Sequence, residues 1–331
     1  MLGIKVQNQD ARNAILVLRS NGLLPETFAK HSASYTYFFV KNCDEKVKKL
    51  LLEAGCAISD TKMPHDAKPV FGKHAKTIGK GYEALGNIAI IDSQDGGGEE
   101  LALRILAANK HITTVVSKAG AVEGEYRLRK FRYVAGKKTF VADCVENGCR
   151  FVFDIRKTFF SGKLSYERSR ICSLAKDNEK VIVMFAGVGP FAIEIAKAHK
   201  GSDVVAVELN RNAYNYMVGN IALNKTCNVK AVCGDAKKAC SKYVGWADRI
   251  VMPLPKGALG FLDVALRSAA KGCIVHIYSF GERDSAFEEA KNTINSAAEG
   301  LGMKCRILFQ RKVRDYSAKE IEIVTDFMVI K

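Results

Sequence analysis

After Glu167 short apolar runs alternate with helical patterns, and this alternation constrains the fold more than any other feature of the chain. Val181–Phe185, Val204–Val207, Val229–Val232 and Arg249–Met252 read as buried strands, while Phe191–His199 and Ala213–Asn224 between them read as helices. Strands that each return through a helical crossover pair in parallel, so the segment predicts an α/β, doubly wound sheet covered by helices. Cys305–Val313 and Ile321–Ile330 are long strand patterns joined by a polar turn, which predicts an antiparallel hairpin added at the sheet edge.

Upstream the rhythm differs. Residues 1–62 predict a small N-terminal domain, with a helix over Asp10–Asn21, an aromatic strand over Tyr35–Val40 and a Lys-rich helix over Asp44–Ala54. Residues 63–76, rich in Pro, His and Lys, predict a linker. Residues 77–158 predict an α+β domain: a strand after Asn87, a glycine turn at 96–98, a helix over Glu99–Lys110, and strands at Thr113–Ser117, Tyr126–Val134, Lys138–Val141 and Phe151–Asp154. The doubly wound domain then occupies residues 159–331.

Charge narrows the partner. With 51 Lys and Arg against 35 Asp and Glu the chain carries +16, which favours a polyanion over an acidic metabolite. No run reaches the ~18 consecutive apolar residues of a membrane span. The N-terminus also lacks the apolar run of a secretory signal, so the expectation is a cytoplasmic protein with no membrane partner. The ten cysteines contain no C-x-x-C pair, so the spacing offers no metal site and the thiols are expected to be reduced.

The chemistry-bearing residues cluster at strand ends. In Phe185-Ala186-Gly187-Val188-Gly189-Pro190-Phe191 a buried strand runs through G-x-G into a helix, so bare backbone can approach a ligand. No third glycine follows at the dinucleotide spacing, which disfavours pyrophosphate cofactors. Glu208, followed by Leu209, ends the second strand, where a carboxylate can accept from both hydroxyls of a ribose. Asp235 and Ala236 end the third, offering an acceptor and an amide to an adenine edge. The fourth runs into Pro253-Leu254-Pro255-Lys256, a rigid rim where doubly wound enzymes hold substrate. Upstream, Phe153 to Arg170 interleaves aromatic and basic residues, a pattern suited to phosphates and an unpaired base. Taken alone, Glu167 reads as a solvated carboxylate at a helix start and Arg127 as a water-facing strand residue.

The combination is more specific. MFAGVGPF, ELNRNAYNYMVGNIALNK and FFSGKLSYER resemble the motifs of the archaeal and eukaryotic tRNA (guanine-N1)-methyltransferases that modify the guanine just 3′ of the anticodon, position 37, and the similarity spans essentially the whole chain. The resemblance implies S-adenosyl-L-methionine as cofactor and tRNA as partner, engaged at the anticodon stem-loop and, through the small N-terminal domain, at the outer corner. A monomer needing no protein partner is expected. It implies Glu167 as general base, Arg127 as the arginine against the target guanine, and Phe159 as the aromatic near the methyl donor. Lys163 stands where the family commonly has Arg; Arg168 and Lys256 complete the expected substrate contacts. Pro253 replaces the Asn of the usual Asn-Leu-Pro motif, at a position expected to touch both cofactor and base.

Two rival readings accompany this one. An aminocarboxypropyl transferase of the wybutosine pathway would keep the fold and donor but transfer another group. A tRNA-binding protein without catalysis would need the charge but not the constellation of Gly187, Gly189, Glu208 and Asp235.

Overall fold

The computed structural model describes residues 2–7, 10, 14, 17–18, 27–31, 35–40, 45–54, 56–62, 81–92, 98–124, 126 and 128–330. The helix expected over Asp10–Asn21 falls largely outside the described residues; the linker 63–76 and Arg127 lie wholly outside them. Contacts divide the chain into two units: Met1–Val122 with Arg129–Ala142, and Glu123–Leu128 with Asp143–Lys331.

The first unit contains two four-stranded sheets. Strands β1 (Leu2–Gln7), β2 (Thr27–His31), β3 (Tyr35–Val40) and β4 (Ile58–Lys62) pair antiparallel in the order β2-β3-β1-β4, with helix α1 (Glu45–Glu53) between β3 and β4. Strands β5 (Tyr82–Leu85), β6 (Ile88–Ile91), β7 (Thr114–Glu123) and β8 (Leu128–Gly136) follow in sequential order. β6 and β7 are parallel, so the chain must cross over between them, and helix α2 (Gly98–Ala108) does so. Glu99 and Glu100 in its first turn suit the positive end of the helix dipole. Its apolar stripe of Ala102, Ile105 and Leu106 packs on Ala89, Ile91 and Val115.

Next in the chain comes a hairpin, most of which falls in the second unit. β9 (Val141–Glu146) and β10 (Cys149–Asp154) turn at Asn147 (φ 47) and Gly148 (φ 75), the two left-handed residues of a tight hairpin turn. The strand expected at Lys138–Val141 thus begins at its end, and residues 143–158 belong with the doubly wound sheet instead of with the middle region. They do so because the helix Arg211–Asn224 of that domain bonds the β10 backbone.

Seven strands form that sheet: β11 (Lys180–Met184), β12 (Asp203–Glu208), β13 (Val229–Cys233), β14 (Ala247–Met252), β15 (Ala269–Glu282), β16 (Lys304–Asp315) and β17 (Glu320–Ile330). Their order is β13-β12-β11-β14-β15-β17-β16; the first five are parallel and the last two form the antiparallel edge hairpin. Helices α3 (Ser165–Leu174), α4 (Pro190–Ala198), α5 (Arg211–Asn224), α6 (Ala236–Cys240), α7 (Leu262–Ser268) and α8 (Ala286–Glu299) cover it. Two apolar layers result, one including Ile182, Ile250, Ile277 and Phe327, the other Val181, Val183, Ile195 and Val324. Alternate residues of the parallel strands enter opposite layers, which explains their nearly unbroken apolar character. On α5, Asn220 and Asn224 stand one turn apart and bond the β10 backbone: Val152 N–H donates to Asn220 Oδ1 (2.8 Å) and Arg150 N–H to Asn224 Oδ1 (2.9 Å).

Helix α3 lies on the antiparallel end of the sheet, matched to it row by row. Tyr278, Val324 and Arg311 are opposite one another on β15, β17 and β16, as are His276, Asp326 and Phe309 one step along. Glu167 bonds the first row and Arg170, one turn later, the second. A bulge between Ile307 and Phe309 sets this match, because without the extra residue Gln310 instead of Arg311 would face Glu167.

The far end of α3 is held by Arg249 of β14, 1% exposed. Its guanidinium bonds Glu179 with Nε (2.7 Å) and Nη2 (2.9 Å), the last carbonyl of α3 at Leu174 O (2.7 Å), and His276 Nε2 (2.6 Å). Burial pushes the His276 pKa down, so the ring is neutral and accepts from Arg249. Arg249→Met strips Glu179 of its partner and uncaps α3, and is expected to cost about 3–5 kcal/mol in urea unfolding. Arg249→Lys should recover only part, because the two-pronged bond is lost.

Candidate active site

At the carboxyl ends of the parallel strands the glycine loop bends under tight constraint. Phe185 (φ 56), Gly187 (φ 59) and Gly189 (φ 92) are all left-handed. A Cβ at Gly189 would approach Met217 Cγ to 2.9 Å and Ile193 Cδ1 to 3.0 Å, so the loop presses against α5 and its own helix there. Pro190 then opens α4 at a position where no N–H is needed. From the other side Asn220 Nδ2 donates to Val188 O (3.1 Å), so the side chain that receives β10 also holds the loop.

Glu208 clasps this loop to the next strand. Its Oε2 accepts from Gly187 N–H (2.7 Å) and its Oε1 from Asn210 N–H (2.7 Å). Burial pushes the carboxyl upward in pKa, while the amides of Asn210, Gly187 and Leu209 pull it back toward the ionised form. Each oxygen keeps a second lone pair for a ligand hydroxyl. Asn210, which the sequence reading missed, caps α5 through Asn212 N–H (2.9 Å) and reaches back to Lys157 O (2.8 Å). Its signal was present: an Asn immediately before a helical pattern is a standard start.

Asp235 caps the short α6, accepting from Lys238 N–H (3.1 Å), and Ala236 is buried behind it. Beside it a Cβ at Gly234 would meet nothing within 4 Å, and one at Gly187 would meet only Phe159 O at 3.7 Å. Between Glu208 and Asp235 the crevice is therefore open, and Phe159 and Leu209 expose apolar surface at it (38% and 39%). Acceptors, bare backbone and apolar faces are the surroundings an adenosyl group requires. Pro253 is half-buried after β14, and Lys256 and Lys163 are exposed.

Glu167 is not the solvated helix-start carboxylate its sequence context predicts on its own. It is 1% exposed and receives three donors: Tyr278 Oη (2.9 Å) and Arg170 Nε (3.0 Å) at Oε2, and Arg311 Nη2 (2.6 Å) at Oε1. Burial, with the Glu167 charge adding to it, pushes the Tyr278 hydroxyl well above its usual pKa, so it stays a donor. Burial opposes the charge on Arg170, but Asp326 outweighs it and the pKa rises. Tyr278 and Arg311 carry no local signal, because strand pairing across more than a hundred residues brings them to Glu167, whereas Arg170 stands one turn along the same helix.

Arg168 is placed otherwise than expected. It is 2% exposed, forks onto both oxygens of Glu146, bonds Ser161 O (2.9 Å) and stacks 4.8 Å from the Phe160 ring centre. A guanidinium so enclosed braces the site and is not presented to a polyanion. Glu194 shares the same pocket, 3.8 Å from Arg168 Nε, and accepts from Asn147 Nδ2 (2.8 Å). One guanidinium thus faces two carboxylates, and Glu146 holds its fork.

An open parallel sheet with a reversed edge hairpin and an open, acceptor-lined crevice at its strand ends is the arrangement of a Rossmann-like methyltransferase. Residues 143–308 match the TRM5/TYW2 methyltransferase domain. The chain belongs to that family. It is 36% identical over 251 residues to the tRNA (guanine(37)-N(1))-methyltransferase Trm5b of Pyrococcus abyssi, covering 75% of this chain and 74% of the relative. The crystal structure of the P. abyssi Trm5b superposes with a TM-score of 0.70 at 29% identity, covering all of both chains. A structure of aTrm5 in complex with tRNALeu does so at 0.66 and 26% identity, again over both full chains.

The Glu146–Arg168–Glu194 cluster makes stability pH-dependent. Burial raises the Glu194 carboxyl to about 8, so the folded chain keeps a proton that the unfolded chain has released. Stability from this group is present below the ordinary carboxylate range and is lost as pH climbs through that raised value. Thermal melting should accordingly fall between about pH 5 and about pH 8.5, and Glu194→Gln, which imitates the protonated acid, should flatten that fall.

Proposed function

We propose that the chain transfers methyl from S-adenosyl-L-methionine to N1 of the guanine at position 37 of tRNA, with Glu167 as general base. The observation that carries this reading is the match over three quarters of the chain to an enzyme of that name. The open crevice of Gly187, Gly234, Glu208 and Asp235 supports the donor, and the charge of +16 supports a tRNA partner. Among the described residues no helix is long and apolar enough to cross a membrane. Every described cysteine is a free thiol, in keeping with the cytoplasm as the place of action.

The residues divide the work as follows. Phe185–Phe191, with Glu208, Leu209, Asp235, Ala236, Phe159 and Pro253, would hold the donor, Glu208 taking the ribose hydroxyls on its free lone pairs. When bound, S-adenosylmethionine supplies a methyl already activated by its sulfonium, so the protein need only align it. Guanine N1 carries a proton and is a poor nucleophile until that proton leaves. Glu167 takes it, an effect of roughly 10²–10⁴-fold. Tyr278 and Arg170 fix the orientation of the carboxylate through Oε2, leaving Oε1 with a single donor and room for the proton. Arg127, assigned by family resemblance, would stabilise charge gathering on O6, worth about 3 kcal/mol. Lys163 and Lys256, both exposed, are free to meet phosphates, and the N-terminal domain would engage the tRNA outer corner.

S-adenosylmethionine at about 100 times its Kd should stabilise the fold by about 2.7 kcal/mol, a shift that a purely RNA-binding chain would not show. Glu167→Gln should retain tRNA binding within a few-fold yet slow single-turnover methylation by about 10²-fold or more. Near wild-type turnover in that variant would refute the mechanism. Nucleoside analysis of the product separates methyl from aminocarboxypropyl transfer, and an unmodified adenine at position 37 is expected when adenine replaces guanine.

A further inference from the structure

Arg311 is half-accounted for by what it visibly does. Its Nη2 holds Glu167 Oε1 at 2.6 Å, and its guanidinium lies 4.5 Å from the centre of the Tyr166 ring. Its Nε is buried and has no hydrogen-bond partner. A buried donor left unpaired costs free energy and calls for an explanation. Tyr166, immediately before Glu167, is 63% exposed, a large aromatic beside the carboxylate with no core to fill.

Resting on the reading of Glu167 as the base for guanine N1, we propose that Arg311 is a specificity-determining residue that donates to O6 of the target guanine, with Tyr166 forming the wall on which the base stacks. The argument is one of adjacency. N1 and O6 are neighbours on the guanine edge, so a donor next to the group that receives the N1 proton faces O6. Arg311 is that donor: one nitrogen is committed to Glu167 and the adjoining Nε–H is uncommitted. O6 has two lone pairs and can accept from Arg311 and Arg127 together. As the N1 proton passes to Glu167, negative charge moves onto O6, and Arg311 meets it with a full positive charge just as its pairing with Glu167 weakens. Adenine reverses both contacts, presenting an N1 acceptor to Glu167 and an amino donor to Arg311, so the pair selects by repulsion as well as by attraction. The bulge at Ile307/Phe309 is what brings Arg311, and not Gln310, to this place.

The test compares tRNA transcripts carrying guanine or 6-thioguanine at position 37 under single-turnover conditions, in the wild type, Arg311→Met and Arg311→Lys. Sulfur is a weak acceptor, and its effect on N1 acidity is the same whichever protein is used, so the ratio of ratios isolates the contact. Arg311→Met is expected to slow guanine methylation about 10²-fold and to lose about half of the wild-type sensitivity to sulfur on a logarithmic scale, the contact of Arg127 keeping the rest. Arg311→Lys should recover part of both. Binding of either transcript, measured without S-adenosylmethionine, should stay within about threefold, since the contact matures as charge develops. A sulfur sensitivity unchanged in Arg311→Met, or in Arg311→Lys where the first variant does not fold, overturns the proposal, because a residue that merely props Glu167 would leave it intact. Full activity of Glu167→Gln in the same assay would instead remove the reading beneath it, so the two failures are distinguishable.

Discussion

A buried line of alternating charges decides where the reactive end of this protein can be. From Arg311 it runs through Glu167, Arg170, Asp326, neutral His276 and Arg249 to Glu179, each bonded to or within 2.7 Å of the next. A single buried ion would cost several kcal/mol, but here Glu167 and Asp326 lie between donors, and Arg170 and Arg249 between acceptors. The line fixes α3 against three strands at once, so Glu167 cannot shift without unpairing a neighbour. Apolar packing in the same place would hold the helix as firmly but would leave it free to slide. Directional bonds set its position along the sheet.

The same line gives Glu167 two unlike oxygens. Oε2 is saturated by a phenol and a guanidinium that are themselves held from below, whereas Oε1 meets only Arg311, at the end of the line and a third exposed. Asymmetry of this kind suits the base proposed above, since Oε2 anchors the group while Oε1 carries a single donor.

Much of the parallel sheet was legible because its signals are local. Val181–Phe185 through Arg249–Met252 are apolar runs that end in glycine, acid or proline, and the edge hairpin shows as two long strands around a polar turn. β15, although fourteen residues long, is not legible, because Ala269–Glu282 mixes Lys, Gly, Cys and His and has no clean period. The strand β9 is not legible, because Val141–Glu146 mixes acids with its apolar residues and only the Asn147-Gly148 turn after it marks a hairpin. At the site, Gly187, Glu208 and Asp235 could be read from their places at strand ends. Arg168 was misplaced because charge suggests exposure, whereas Glu146 and Phe160, which enclose it, are neighbours only after folding.

Glu208 shows why loop shape and ligand binding belong to one element here. By accepting from Gly187 and Asn210 it holds the first strand's loop to the end of the second strand before any ligand arrives. A carboxamide could not do this, since one of its two groups would present hydrogens to a backbone N–H. An Asp would be one methylene short of bridging from the same strand end. The residue proposed to receive a cofactor's hydroxyls is thus also the one that shapes the glycine loop. Asn220 extends the coupling outward, since it bonds Val188 of that loop and Val152 of β10 with one amide. Loop, cofactor crevice and hairpin therefore form a single hydrogen-bonded unit, and the cost of ordering the binding site is met by folding instead of by the ligand.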